Sequence, residues 1–477
     1  MEDPDDLPLY AASPKVYPQG VSGQFRRLKW IILVCGLAIY YLLPFVRWDR
    51  GPFLPDQAVL LDLPGRRFYF FFLEIWPQEV YYVTGLLVLA ALVLFLMNAV
   101  AGRVWCGYLC PQTVWTDLFL AVERLIEGDR RERMQRDQAK WSARTWGLKA
   151  LKNFVWIMIA WWTGGAWVLY FSDAPKLVKD LATLQAPFVA YLWIGILTAT
   201  TYIFAGFMRE QVCLYICPWP RIQAALTDAD ALNVSFRYDR GEPRASVKQA
   251  TKLRAIGEAA GDCIDCHQCV AVCPTGVDIR DGAQLGCIQC GLCIDACDGV
   301  MTKIGRPIGL IGYDTEQAIK AREAGSKPPP RRVLRARTLV YAGLITFVGG
   351  LMLYGVATRS MLDLSVAHER TPLFTTLRDG AVRNTFVVRV SNKRQYPRRV
   401  RILAEGISGV SMELIGAELL PGQPGTIEVP ADSALEVRLL VTAQRASLTG
   451  SKSVIQIKVI DPQIGEARTV AENFFGP

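Results

Sequence analysis

Thirteen cysteines against two histidines mark the chemistry of this 477-residue chain. Eight of the cysteines lie between Cys263 and Cys297. They read Cys263-x-x-Cys266-x-x-Cys269-x-x-x-Cys273-Pro274 and then Cys287-x-x-Cys290-x-x-Cys293-x-x-x-Cys297, the spacing by which bacterial ferredoxins hold [4Fe–4S] cubanes. Three cysteines at two-residue gaps wrap one cubane, and the fourth reaches the other. The spacing therefore predicts one cluster on Cys263, Cys266, Cys269 and Cys297, and a second on Cys287, Cys290, Cys293 and Cys273. Zinc prefers two C-x-x-C pairs on a longer linker and fits this pattern poorly. The second run is followed by Asp298 where the first has Pro274. His267 falls between ligands and reads as a surface residue.

Four more cysteines form two C-x-x-x-C-P pairs, Cys106 with Cys110 and Cys213 with Cys217. On a helix this spacing sets two thiols one turn apart on one face. Each pair follows an arginine, Arg103 or Arg209, and each stands at the same end of an apolar hairpin. Parallel duplication of a two-helix unit explains the recurrence. Brought together, four thiols make a soft site of the kind that selects Cu(I). They equally suit a dithiol–disulfide couple. Arg103 and Arg209 would favour thiolates, or simply anchor helix ends. Cys35 stands alone.

The elements that carry these groups are membrane spans and soluble modules. Hydrophobic residues make up 51% of the chain. Five runs are long and apolar enough to cross a bilayer: Trp30–Val46, Val80–Ala101, Asn153–Phe171, Phe188–Met208 and Thr338–Ala357. The connection 101–152 carries ten basic residues and 172–187 carries two, so the former is expected in the cytoplasm. Arg26, Arg27 and Lys29 then keep the N-terminus inside, and Arg331, Arg332, Arg335 and Arg337 keep the start of the fifth span inside. The acidic start, MEDPDD, does not read as a cleaved signal.

From Leu373 onward, period-2 runs such as Thr385–Val390 and Ser453–Val459 are broken by Gly, Pro and Asn, which predicts an antiparallel sandwich. The expected fold is therefore a multi-domain membrane protein. A five-helix transmembrane bundle carries an inserted cytoplasmic 2[4Fe–4S] ferredoxin-like α+β domain and a C-terminal all-β immunoglobulin-like sandwich. Its parts are an N-terminal tail (1–29), a four-span membrane domain (30–230), the ferredoxin-type domain (231–337), a fifth span (338–357) and a periplasmic sandwich (358–477).

His267 and His368 both fall in soluble parts, so no haem is expected within the bilayer. No dinucleotide fingerprint or Walker sequence is present, and the net charge of +9 calls for no nucleic acid. Electrons must come from an outside donor or from quinol. Glu74 and Glu79, at the far edge of the second span, suit a quinol, a metal ion or plain capping.

These residues resemble the cytochrome c oxidase accessory proteins of the CcoG/FixG/RdxA type. The resemblance runs through Ile75-Trp76-Pro77-Gln78, the stretch Gly102–Asp117, Glu123–Asp129, the ferredoxin runs and Gly299–Pro307. It implies a bacterial inner-membrane protein that reduces Cu(II) to Cu(I) during assembly of cbb3-type cytochrome c oxidase. Copper would be substrate or transient ligand on Cys106, Cys110, Cys213 and Cys217, with copper chaperones and oxidase assembly factors as partners. The donor is not named, and homo-oligomerisation stays open. The alternative is a quinol-oxidising electron-transfer subunit that passes electrons through the clusters to another redox protein.

Overall fold

A computed structural model describes residues 15–52, 54–420, 423–448 and 450–477. The acidic start at 1–14 lies outside the described residues. The chain forms two compact units, Met1–Trp48 with Gln57–Met352, and Asp49–Asp56 with Leu353–Pro477.

Five helices among the described residues are long and apolar enough to span a membrane: Gln24–Phe45, Pro77–Ala101, Ala143–Phe171, Phe188–Met208 and Ala336–Ala357. The chain is a multi-pass membrane protein. Two of these helices begin well before their apolar runs, because polar groups cap them. Ser142 accepts the N–H of Thr145 at 3.2 Å. The first span starts at Gln24 because the Asp295 carboxylate accepts the N–H groups of Phe25 at 3.2 Å and Arg26 at 2.8 Å. A Cβ at Gly23 would stand 2.3 Å from the Asp295 carboxyl carbon, so this close approach needs glycine. Pro44 sits in the short 3₁₀ turn Leu43–Phe45 that ends the first span.

The spans pack through small and aromatic residues. Gly164 faces the backbone of the fourth span, where a Cβ would lie 3.0 Å from the Ile194 carbonyl oxygen. Phe119 stacks on Trp156 at 5.2 Å, and the indole N–H of Trp156 donates to the Phe119 carbonyl at 3.0 Å. Phe95 of the second span stacks on Trp219 at 5.8 Å. Between the first two spans lies a three-stranded antiparallel sheet, Val59–Asp62, Arg67–Phe70 and Leu73–Ile75, which sequence reading missed.

The cysteine-rich segment is built on a two-stranded antiparallel sheet, Asn233–Phe236 with Ile311–Asp314. It encloses Val234, Phe236, Ile294, Met301, Leu310 and Ile311. Its two helices differ in length for a local reason. Helix Gln268–Ala271 stops before Cys273-Pro274, since proline bars a helical residue ahead of it. Helix Leu292–Lys303 runs through Cys297, because Asp298 replaces that proline and instead accepts the Gly309 N–H at 2.7 Å.

The second unit contains two antiparallel sheets. One orders strands Ser411–Ile415, Ser433–Ala443, Val382–Asn392 and Leu362–His368, with Thr375–Thr376 beside the third. The other orders Thr426–Val429, Arg398–Glu405, Lys452–Ile460 and Ala467–Phe475. Alternate residues such as Phe386, Val388, Val390, Val400, Ile455 and Ile457 fill the core between them. Arg398 is buried with Asp461 at 2.6 Å and Glu466 at 2.8 Å.

Candidate redox centre

The two cysteine runs fold as matching loops. Each places a residue of positive φ on either side of its second cysteine: Asp265 (53°) and His267 (55°) around Cys266, Gln289 (56°) and Gly291 (75°) around Cys290. Left-handed residues turn backbone N–H groups inward to form a concave anion cradle. The amides of Asp265 and Val270 hydrogen-bond the sulfurs of Cys263 and Cys269, and those of Gln289 and Leu292 the sulfurs of Cys287 and Cys290.

Two cavities result. One is lined by Cys263, Cys266, Cys269 and Cys297. The other is lined by Cys273, Cys287, Cys290 and Cys293, with Cys269 in the shared wall. Among the described residues, no three His, Cys, Asp or Glu side chains converge tightly enough to hold a single metal ion. Four sulfurs around an apolar cavity, with amides aimed at them, instead suit a larger sulfide-rich body. Burial pushes the thiols of Cys269, Cys287 and Cys297 up to about 12, so each loses its proton only to a metal.

The cavities differ in charge. Arg280 lines the first and contacts Asp265, Asp278 and the Nδ1 of His267. Its guanidinium lowers the Cys263 thiol against the upward pull of burial. Among the described residues no cation lines the second cavity, although, against the upward pull of burial, Arg103 lowers the Cys287 thiol and Lys29 the Cys290 thiol. His267 is exposed, as a surface residue should be.

The C-x-x-x-C pairs do not lie on single helices. Cys106 belongs to the short helix Val104–Tyr108, whereas Cys110 is extended (φ −60°, ψ 126°) and precedes helix Pro111–Glu127. Cys213 lies in a π-helical turn, Val212–Ile216, and Cys217 is again extended (φ −76°, ψ 121°). Pro111 and Pro218 impose this, by excluding the residue before them from helical backbone. Each pair therefore spans an elbow.

The elbows are related, but not through Arg103 and Arg209. Four residues before Cys106 stands Gly102 (φ 58°, ψ −134°), and four before Cys213 stands Arg209 (φ 41°, ψ −112°). These two are equivalent, so the counterpart of Arg103 is Glu210. The electrostatics consequently diverge. Burial pushes the Cys106 thiol up to about 12, with Cys110, Cys213 and Cys217 adding to the rise and Arg103 opposing it. Burial pushes Cys213 up to about 11, and Cys110, Cys217 and Glu210 all add to the rise. The four thiols are thus near enough to feel one another. Arg209 turns away, giving Nε–H to the Gly206 carbonyl at 2.8 Å and pairing with Glu123 at 2.9 Å.

The first elbow is docked on the second cysteine loop. A Cβ at Gly107 would stand 2.8 Å from the Ile288 carbonyl oxygen and 3.1 Å from the Cys290 Cα. The Tyr108 phenol donates to the Cys290 carbonyl at 2.9 Å. Arg103 donates to the carbonyls of Leu285 at 2.7 Å and Cys287 at 3.3 Å, and its own N–H goes to Gln289 Oε1 at 2.7 Å. Cys106 shares an apolar cluster with Cys290, and its thiol donates to Gln223 Oε1 at 3.2 Å. The contacts of Gly107, Tyr108, Gln223 and Gln289 had no motif to announce them.

Glu79 is a cap: its carboxylate accepts the Trp76 N–H at 3.2 Å. Glu74 pairs with Arg67 at 3.1 Å, whose guanidinium lies 4.1 Å over the Trp76 ring. His368 lies in the second unit, where Nε2 meets Asn384 Oδ1 at 2.7 Å.

Comparison with known proteins gives three family matches. A 4Fe-4S dicluster domain profile covers residues 208–316, a 4Fe-4S binding domain profile covers 83–127, and the Ig-like fold at the C-terminal of FixG covers 352–477. The chain is 46% identical to the nitrogen fixation protein FixG of Rhizobium meliloti, over 98% of this chain and 94% of that one. It is 48% identical to protein RdxA of Cereibacter sphaeroides, over 98% and 99% of the two chains. Protein RdxB of the same organism is 49% identical over 92% and 91%. The crystal structure of a FixG-related protein from Vibrio parahaemolyticus aligns with 24% of this chain and 97% of its own, at 22% identity and a TM-score of 0.21.

Proposed function

The chain belongs to the FixG/RdxA family of iron–sulfur electron-transfer proteins, and from that premise we propose that it reduces Cu(II) to Cu(I) on the four elbow thiols, for copper delivery during cbb3-type oxidase assembly. The observation that carries this reading is the seating of Gly107 and Tyr108 on Cys290, which puts Cys106 against the second cysteine loop.

In this proposal Cys263, Cys266, Cys269 and Cys297 hold one [4Fe–4S] cluster, and Cys287, Cys290, Cys293 and Cys273 hold the other. When bound, such clusters supply one-electron storage and transfer. The chain's residues do the rest. Cys269, in the wall common to both cavities, keeps the two seats adjacent. The elbow brings Cys106 within packing distance of Cys290 with no side chain at Gly107 to intervene. The elbow sulfurs offer copper soft ligands that favour the cuprous ion; because no three of them converge on one ion among the described residues, Cu(II) would gain one electron and be held as Cu(I) by two sulfurs at a time. Each coordinating thiol gives up its proton. The basic connection 101–152 argues that the cysteine-rich segment faces the cytoplasm and the C-terminal sandwich the periplasm.

A second reading has its own support. The 4Fe-4S binding domain profile over 83–127 covers Cys106 and Cys110, so the elbow quartet is also a candidate seat for a third cluster.

One experiment separates these. Serine at Cys106, Cys110, Cys213 and Cys217 together is expected to abolish donor-driven Cu(II) reduction while iron and acid-labile sulfide stay at eight each per chain, two cubanes of about four iron atoms apiece. Undiminished copper reduction in that variant would overturn the proposal. About twelve irons in the wild type, falling to about eight in this variant, would instead favour the third cluster.

A further inference from the structure

Two glutamine amides clasp the elbows to one another. Gln112, two residues past Cys110 in helix Pro111–Glu127, reaches into the second elbow. Its Nε2 donates to the carbonyls of Phe204 at 2.8 Å and Arg209 at 3.2 Å, and also meets Thr116 Oγ1 at 3.2 Å. Phe204 belongs to the π-helical turn Tyr202–Met208, and Arg209 is the left-handed residue four before Cys213. Gln223, six residues past Cys217 in helix Trp219–Leu226, reaches back, and its Oε1 accepts the Cys106 thiol at 3.2 Å. The Pro220 carbonyl of the same helix accepts Arg103 Nη2 at 3.1 Å.

These bonds give the four thiols unequal surroundings. The Cys106 proton is engaged by Gln223, and its sulfur is packed in the cluster with Cys290. Cys110 is separated from Gln112 only by Pro111, whose ring fixes φ, so the anchorage of Gln112 passes to Cys110 with little slack. Gln112 and Cys213 line one small cavity, together with Arg209 and Glu210. Cys110 acts on the Cys213 thiol more strongly than Cys217 does, although Cys217 shares the elbow of Cys213. Cys213 is thus coupled across the elbows more than along its own. Among the described residues no three such groups converge on one ion, so a bound ion takes two sulfurs, and the question is which two.

We propose that the cuprous product rests across the elbows, on Cys110 of one and Cys213 of the other, with Gln112 as the positioning residue that sets their separation. The proposal rests on the copper reading above. Soft thiolates suit the cuprous ion. Two Cu–S bonds form and two S–H bonds break, the protons leaving to water, and neither copper nor sulfur changes oxidation state in this step. Cys106 remains the contact with the second cysteine loop. Gln112 touches no metal and acts only through the backbone that carries the two sulfurs.

The test loads the full chain, with its iron in place, with one equivalent of Cu(I) under anaerobic conditions. Affinity is read by competition with a chromophoric chelator, and the ligands by X-ray absorption at the copper edge. The wild type is expected to show copper bound by two sulfurs. The variant carrying Cys110→Ser and Cys213→Ser should bind at least about a hundredfold more weakly, since both ligands are gone. The variant carrying Cys106→Ser and Cys217→Ser should keep the wild-type affinity and the two-sulfur spectrum. Were copper held within one elbow, each of these variants would break both pairs, and an equal loss in the two would overturn the proposal. Gln112→Glu keeps the shape but removes the N–H donors. It should weaken Cu(I) about tenfold and replace one sulfur by a lighter ligand in the spectrum. Iron content equal to wild type shows that each variant is folded. Wild-type affinity and spectrum in Gln112→Glu would overturn the role of Gln112. A wild type that binds no Cu(I) would overturn the copper reading itself, whereas equal loss in the two cysteine variants overturns only the pairing.

Discussion

Tyr108 reaches across 182 residues of sequence to donate its phenol to the Cys290 carbonyl at 2.9 Å, and so joins a membrane elbow to a cysteine loop. The bond works with the bare backbone of Gly107, which rests on the same loop. Replacement of Gly107 by valine must push the elbow off Cys290, since backbone atoms on both sides cannot yield. We expect the Gly107→Val protein to lose copper reduction by more than tenfold at unchanged total iron. Tyr108→Phe should cost about 1 kcal/mol in thermal stability and slow reduction less. Rates from stopped-flow copper reduction, with iron assays on the same samples, check both.

The crossed arrangement of the two cavities makes a separable prediction. On the proposed assignment, Cys297→Ser should disturb the cluster that Cys263, Cys266 and Cys269 would share with it, and Cys273→Ser the other. Arg280→Gln, which removes the cation lining the first cavity, should lower only that cluster's midpoint potential. EPR spectra during redox titration would resolve the pair. An equal shift of both signals in Arg280→Gln would contradict the assignment.

Copper binding should depend on pH with a defined sign. Burial raises Cys106 to about 12 and Cys213 to about 11, so both are protonated near neutrality and must lose protons to a metal. Apparent Cu(I) affinity should therefore rise with pH, by about tenfold per unit for every proton displaced. Competition with a chromophoric Cu(I) chelator between about pH 6 and 9 measures the slope. A flat profile would mean that these thiols do not bind the ion. The same raised values imply that stability from these groups is present at low pH and lost as pH climbs above their unfolded values, toward 11 and 12.

Glu123 holds three buried cations: Arg209 at 2.9 Å, Arg133 at 3.0 Å and Lys152 at 3.4 Å. Its removal takes the carboxylate from Arg209 and Arg133, while Lys152 keeps Glu127 at 2.9 Å. Glu123→Ala should destabilise the protein by about 3–5 kcal/mol, visible as reduced melting temperature and membrane abundance. Lys320→Ala, which breaks the exposed pair with Glu316, should leave both unchanged.

Much of this organisation was legible because the relevant patterns repeat. Apolar runs announced the spans, and the period-2 text announced the sandwich strands. The two cysteine runs carried the spacing of the loops, but not the positive φ values that Gly291 and His267 share by position. What sequence reading could not supply were interactions between distant residues of ordinary type. Asp295 looks like any surface aspartate until it is found at the start of the first span. Arg103 and Arg209 look equivalent in the text, yet the backbone pairs Arg209 with Gly102. A one-residue offset is invisible without φ and ψ, and it reverses the charge beside the second pair of thiols. The elbows themselves escaped a reading of C-x-x-x-C as one helical turn, although the prolines that follow already argued against it.

The capping of the first span by Asp295 has a bearing on how the chain is made. A ribosome emits residues 24–26 some 270 residues before the carboxylate that completes their helix turn. Until the later segment arrives, the leading N–H groups of the first span must be satisfied by water. The cap on the first helix is thus completed only after the cysteine-rich segment has been synthesised.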